Sequence, residues 1–449
     1  MKRVADSIAF MLVCLLASRG IAIAQQAPQP LTLKDARQIA LANRPLVRAA
    51  DLSVEGARQN TIQVESARYP QLTASITAAD AYREKTTQNG QEVMLDTRIA
   101  AGGLNNPIIL RRESNGLFLS QLVTDFGRTA NLVESAKLSE TAQQQQAYAT
   151  RTQVILETSD AYLAALEAQA VLQVAAKTVD ARNLLLDRVS AMAQNKIKSE
   201  LDVRFAQVNL GEARLLQLKA ENAVDAAFAR LSTSLGYHDA RRFILADEPA
   251  PAPLGNIDTL LDQAIALRPD LASLRADREA ARKFVDAAKA LSYPTISLYA
   301  AAGVTPYGDD RLSRNYGAIG LNLSVPLFDG GKISALQQQA QLRSLALSEN
   351  VVEAQNNILR SVRVAWLNAR SGFENIAITE SLRDASSQAL VLADARYKLG
   401  ITSIVELNQA QLSAIDAEIA YARAKYQYLT ARAVLDFQVG LFEGSSQPQ

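Results

Sequence analysis

Side chains able to do covalent or metal chemistry are thinly spread in this 449-residue sequence, which holds one histidine and one cysteine. With His238 as its only imidazole, no multi-histidine metal site can be assembled. No Ser-His-Asp constellation survives either, because His238 sits in a linker carrying Pro249, Pro251 and Pro253. The run Asp329-Gly330-Gly331-Lys332 hints at a phosphate loop. Pro326 stands where the earlier glycine belongs, however, and Ile333 replaces the Ser or Thr that should follow the lysine. The sequence thus offers no catalytic residue, cofactor site or metal site, and an exported enzyme has no residue set to support it. The Asp-Gly-Gly-Lys run has another use, because Asp125, Gly127 and Arg128 repeat its pattern 204 positions earlier. A glycine frees the backbone to turn, and an aspartate just before a helix accepts from its unpaired N–H groups. Asp125, Gly127, Asp329 and Gly331 are therefore read as strand-to-helix joints.

Those joints belong to a duplicated unit. Arg44-Pro45, Ala57-Arg58 and Tyr69-Pro70 recur as Arg268-Pro269, Ala281-Arg282 and Tyr293-Pro294, each 224 positions on. From Leu119/Leu323 through Gly236/Gly440 the offset becomes 204, so the first copy has a longer loop between residues 77 and 118. The predicted units are 25–236 and 258–440, joined by the linker 237–257 and followed by a tail at 441–449. Residues 1–24 read as a secretory signal peptide: Lys2 and Arg3 precede an apolar run, and Ala22-Ile23-Ala24 offers a cleavage site. Val13 before Cys14 argues against a lipoprotein anchor there, and the mature chain would then have no cysteine. Acids and bases are mixed, with a net charge of +1, so nothing favours nucleic acid.

Each copy opens with helix over 33–68 or 258–292, interrupted by Pro45 or Pro269 and ended by Tyr-Pro. A strand follows. Leu72, Ala74 and Ile76 alternate with polar residues, as do Ile296 and Leu298 in copy two. A polar loop, Asp80–Asn115 in copy one, leads to a returning strand with Ile319, Leu321, Leu323, Val325 and Leu327 on one face. The expected β-hairpins span about 71–125 and 295–328. Proline-free helices near 129–194 and 333–398 would run roughly 100 Å at ~1.5 Å per residue. A turn then sends the chain back along a seam of small apolar residues such as Ala410, Ala414 and Ala417.

Ten-residue strands with one apolar face can cross a bilayer when tilted, but only in a closed sheet. Four strands cannot close. Two chains would give eight strands around a filled interior, whereas three would give twelve around a lumen, so the pattern demands an oligomer and prefers at least three. Leu72, Ile76, Ile296, Leu298, Ile319, Leu321 and Leu323 would then face lipid. A soluble sandwich core is the competing reading of these strands, and a periplasmic coiled-coil adaptor or scaffold is the competing reading of the chain.

The duplicated order, the Tyr-Pro corner, the exit Leu327-Phe328-Asp329-Gly330-Gly331-Lys332 and the tip Tyr397–Gln411 resemble the TolC-like outer-membrane efflux proteins. That resemblance spans nearly all of the mature chain. It implies a mixed, mainly α fold: a trimeric 12-stranded β-barrel in the outer membrane, continued by a periplasmic α-helical barrel. It also implies a passive conduit in a tripartite efflux pump or type I secretion system. The partners implied are a periplasmic adaptor (membrane fusion protein), and through it an inner-membrane pump or ABC transporter, besides outer-membrane lipid. Carried to matching positions, it gives Asp202, Glu406 and Tyr397 as periplasmic gate residues. The adaptor-docking tips would be Lys196, Ile197, Lys198 and Ser199 with Gly400, Ile401, Thr402 and Ser403. Lys196 stands where the family favours glycine, Gln409 where a second acid can occur, and Thr402 at a position that can be basic. These departures argue against a double acidic ring and an arginine lock.

Overall fold

The computed structural model describes residues 30–80, 86–88, 91–93, 111–249, 252–305 and 314–442. The signal segment 1–24 and most of the tail lie outside the described residues. In copy one, α1 (Leu33–Asn43) and α2 (Pro45–Glu65) are separated by Arg44, whose extended backbone (ψ 123°) is what Pro45 demands of its predecessor. Strand β1 (Gln71–Asp80) follows, then the short β2 (Thr86–Gln88) and β3 (Gln91–Val93), which pair with each other. Next come β4 (Arg111–Thr124), the 67-residue α3 (Arg128–Gln194) and α4 (Glu200–Ser234). Copy two repeats the order with α5 (Ile257–Leu267), α6 (Pro269–Lys289), β5 (Thr295–Val304), β6 (Asn315–Ser324), the 67-residue α7 (Lys332–Lys398) and α8 (Ile404–Val439). Two strand bounds differ from the sequence reading. β4 begins at Arg111, inside the expected loop, because β1 continues to Asp80 and pairs with it. β6 stops at Ser324, so Val325 and Leu327 lie beyond it; Pro326 has no N–H to give a ladder.

Four strands form one antiparallel sheet in the order β1-β4-β5-β6. The two hairpins thus join through β4 and β5, and β1 and β6 are left as edges. Register puts Leu72, Leu119, Ala300 and Ile319 in one row, Leu298 beside Leu321, and Ile296 beside Leu323. With side chains alternating, all seven apolar strand residues named above share one face. Ile76 and Ile319 on that face are 80% and 77% exposed. Thr73, Ser120, Ser297 and Asn322 occupy the other face.

The helices pack lengthwise. α3 lies against α2, α4, α6 and α8, and α7 lies against α6 and α8. Core residues cluster separately along the long helices. Val154, Tyr162, Leu166, Phe228 and Leu231 centre copy one, and Val351, Ile358, Val362 and Leu435 centre copy two. Leu185, Val189, Tyr397 and Leu407 pack near the turns. Tyr162 and Trp366, equivalent by the 204 offset, both tie down the linker. The Tyr162 hydroxyl lies 2.7 Å from the Leu31 and Ala246 carbonyls, and the Trp366 indole donates to Gly255 O at 3.2 Å. No described helix is long and apolar enough to cross a membrane.

Candidate functional site: the joints and the helical tips

At each joint two consecutive residues take positive φ: Phe126 (53°) and Gly127 (97°) in copy one, Gly330 (66°) and Gly331 (89°) in copy two. The aspartate ahead of them reaches over the turn. Asp125 Oδ2 accepts from Thr129 N at 2.7 Å and from Thr129 Oγ1 at 2.5 Å. Asp329 accepts from Gly331 N at 3.0 Å and from Ile333 N at 2.6 Å. Each carboxylate therefore meets N–H groups that the first helical turn leaves unpaired. Phe126 lies edge-on to Tyr293 with ring centroids 6.3 Å apart, so copy one's joint rests on copy two's Tyr-Pro corner.

At the far end, α3 and α7 terminate identically. Lys196 N donates to Ala193 O and Ile197 N to Met192 O; Gly400 N donates to Tyr397 O and Ile401 N to Arg396 O. Both are Schellman closures, which place a left-handed residue just past the helix. Gly400 fills that place in copy two, whereas Lys196 fills it in copy one at φ 60°. Both returning helices start on a serine. Ser199 and Asp202 form a reciprocal capping box, with Asp202 N to Ser199 Oγ at 3.2 Å and Ser199 N to Asp202 Oδ2 at 3.0 Å. Ser403 Oγ accepts from Glu406 N at 3.4 Å, but Glu406 does not reach back. Its carboxylate instead meets Arg396 at 3.1 Å and takes a hydrogen bond from Thr402 Oγ1.

The three gate candidates thus stand near one another, in different bonding states. Asp202 is occupied by its cap and Glu406 by Arg396. Tyr397 is 2% exposed, and its hydroxyl has no hydrogen-bond partner among the described residues. Burial, helped by the charge of Asp202, pushes its pKa up to about 12. The side chain packs with Leu185, Val189, Ile404 and Leu407, and among the described residues the hydroxyl makes no hydrogen bond across helices. The cross-repeat contact uses other atoms of Tyr397. The Lys198 ammonium sits 3.9 Å from its ring centroid and donates to its backbone carbonyl at 3.2 Å. A cation there also meets the negative end of α7. Beside it, Arg188 of α3 pairs with Asp394 of α7 at 3.3 Å. Ile197, Gly400, Ile401 and Ser403 are exposed, and Thr402 is half-buried.

Arg396, Arg188 and Asp394 escaped the sequence reading. One signal was available for Arg396: the (i, i+10) pairing across a Schellman turn with Glu406. Nothing in spacing marks the pairing of Arg188 with Asp394, which lies between repeats. Among the described residues, no group of three His, Cys, Asp or Glu side chains could hold a metal ion.

A family model described as outer membrane efflux protein matches residues 36–237 and 260–441. Outer membrane protein TolC of Salmonella enteritidis is 23% identical over 428 residues, 92% of this chain and 82% of the relative. The alkaline protease secretion protein AprF of Pseudomonas aeruginosa is 26% identical over 428 residues, 92% of this chain and 85% of the relative. Among solved structures, the outer membrane protein VceC from Vibrio cholerae superposes with a TM-score of 0.75 at 19% identity, covering 91% of this chain and 96% of VceC. The duplicated hairpins, the four-stranded sheet with one bare apolar face and the match of both copies to one family model place this chain in the outer membrane efflux protein family.

Proposed function

We propose that the chain works as a homotrimer, a passive conduit whose twelve strands close a barrel in outer-membrane lipid and whose long helices continue it as a periplasmic tunnel. The observation that carries this reading is the pair of unsealed sheet edges, β1 and β6, flanking an exposed apolar face. Edges of that kind are not tolerated in lipid unless another chain pairs with them. The internal β4–β5 seam supplies a template. Its pair Leu119↔Ala300, shifted by the repeat offsets, predicts Leu323 of one chain opposite Ile76 of the next. The helical tips, with Lys196–Ser199 and Gly400–Ser403, would receive a periplasmic adaptor coupled to an inner-membrane pump or ABC transporter, which supplies the energy. Asp202 and Glu406 would line the mouth, with Arg396 and the Ser199 cap holding them in place.

Oxidation of Ile76→Cys/Leu323→Cys in outer membranes tests the arrangement. The one native cysteine, Cys14, lies in the predicted signal segment, so only the introduced thiols report. A covalent trimer is expected. The pair Ile76→Cys/Asn322→Cys, whose side chains fall on opposite faces, should stay monomeric in denaturant. A water-soluble monomer, or equal cross-linking by both pairs, refutes the barrel.

A further inference from the structure

Arg182 stands on the buried seam of α3, in line with Val174, Thr178, Leu185 and Val189, and is 4% exposed. Its guanidinium makes one side-chain hydrogen bond, from Nη1 to the neutral Gln411 Oε1 of α8, and no ion pair among the described residues. Among the described residues its other N–H donors have no protein acceptor, and they are not sealed from solvent, so they remain available to an anion. Burial pulls its pKa below the ordinary arginine value, and the charge of Glu212 only partly opposes this. The equivalent position of copy two is Ser386, whose hydroxyl donates to Arg383 O at 3.0 Å, so the duplicated unit carries the arginine in one copy alone.

Arg182 borders a cavity of about 280 Å³ between α3, α7 and α8. Val174, Ala181, Leu390, Ala414 and Ile415 give it apolar walls. Lys177 and Arg383 add positive charge at its margin, and Glu418 is the one acid lining it. Arg383 is already committed to Asp384 at 2.8 Å and stacks 4.1 Å over the Tyr421 ring, which leaves Arg182, the buried one, and Lys177 at the margin as the cations free, among the described residues, to meet a ligand.

We propose that this cavity binds a free carboxylate carried on a short apolar stem, the carboxylate seated on Arg182 and the stem against Ala414 and Ile415. A guanidinium is built for that group, since it offers parallel donors to two oxygens. The cavity exceeds what the two methylenes of a glutamate side chain would fill, which favours a small organic acid over an acidic residue of a partner protein.

Equilibrium dialysis of the purified full chain in detergent against radiolabelled hexanoate tests the site, with hexanol and hexylammonium as neutral and cationic counterparts. Saturable binding of one hexanoate per chain is expected. Arg182→Gln should weaken it about tenfold or more. Ala414→Leu, which keeps the arginine and fills the cavity, should abolish it with the oligomer intact by size-exclusion chromatography. Absence of hexanoate binding, unchanged affinity in either variant, or equally tight binding of hexanol would overturn the proposal.

Discussion

Replacing Lys198 by methionine keeps the apolar stem of the side chain and removes only its charge and donors. Two contacts are lost: the ammonium over the Tyr397 ring at 3.9 Å and the hydrogen bond to the Tyr397 carbonyl at 3.2 Å. A partly exposed cation–π contact is worth about 0.5–1 kcal/mol, and a cation at a helix C-terminus about 0.3–1 kcal/mol. Together they give about 1–2 kcal/mol holding the copy-one tip to the copy-two tip. If the tips gate the tunnel mouth as proposed, opening it parts the two hairpins, and this energy then belongs to the closed state. Its loss should raise the open-to-closed ratio about 5- to 30-fold, since ~1.4 kcal/mol is a factor of ten. Single-channel recording in planar bilayers reads that ratio as open fraction and conductance. Lys198→Arg should stay near the parent channel. In combination with Tyr397→Leu, Lys198→Met should add only the share held by the backbone carbonyl at the helix C-terminus, about 0.3–1 kcal/mol, because the first change already removes the ring. The reasoning fails if Lys198→Met leaves the open fraction within about twofold of the parent, or if the two changes are additive.

Other residues give independent tests. Lys196→Gly places glycine at a φ of 60°. It should relieve about 1 kcal/mol of left-handed strain and slow hydrogen exchange of the tip amides about fivefold. Tyr397→Phe removes a buried hydroxyl that has no partner among the described residues, so the melting temperature should hold or rise. The raised pKa of Tyr397, about 12, adds a sign to that test. Its contribution is full below the free-tyrosine value near 10, is lost as pH rises towards 12, and the alkaline loss should be smaller in the phenylalanine variant. Asp270 is pushed up by burial, but the bidentate Arg268 guanidinium, at 2.9 and 2.6 Å, holds it below the usual carboxylate range. Its stabilisation is present above the ordinary aspartate pKa and is lost as pH falls through the lowered one. Thermal melts of Arg268→Gln should therefore lose less between pH 5 and 3 than the parent.

The legible parts of this molecule are those set by period and by backbone. Alternation marked the apolar sheet face, because side chains on a strand have only two directions. The breaks at Pro45 and Pro269 were legible because proline dictates the backbone of Arg44 and Arg268. The start of β4 at Arg111 was not, since Arg111-Arg112-Glu113 has no strand pattern and is ordered by pairing with β1. The tip contacts were hidden for a different reason. Lys198 and Tyr397 lie 199 residues apart, and their meeting depends on how two hairpins lean together. Spacing within either hairpin carries no trace of that angle.

Duplication also explains why one unit can serve as both a wall and a seam. Phe126 of copy one meets Tyr293 of copy two, and the sequence equivalent of Tyr293 is Tyr69, 62% exposed at the open edge of the sheet. Opposite it, Leu327 and Phe328 beside the second joint are each 92% exposed. Copy two has Gly330 where copy one has Phe126, but it presents Leu327 and Phe328 just before that turn, and copy one presents the matching Tyr-Pro corner bare. If a neighbouring chain docks as copy two docks on copy one, the turn with Gly330 in Phe126's place comes to Tyr69, and Leu327 and Phe328 just before it are the exposed apolar side chains left to cover that ring as the barrel seam closes. Leu327→Asp should then cost assembly while leaving each chain folded, and native mass spectrometry in detergent would show monomers where the parent gives trimers. Intact trimers in that variant would mean that the seam between chains is not built like the seam within one.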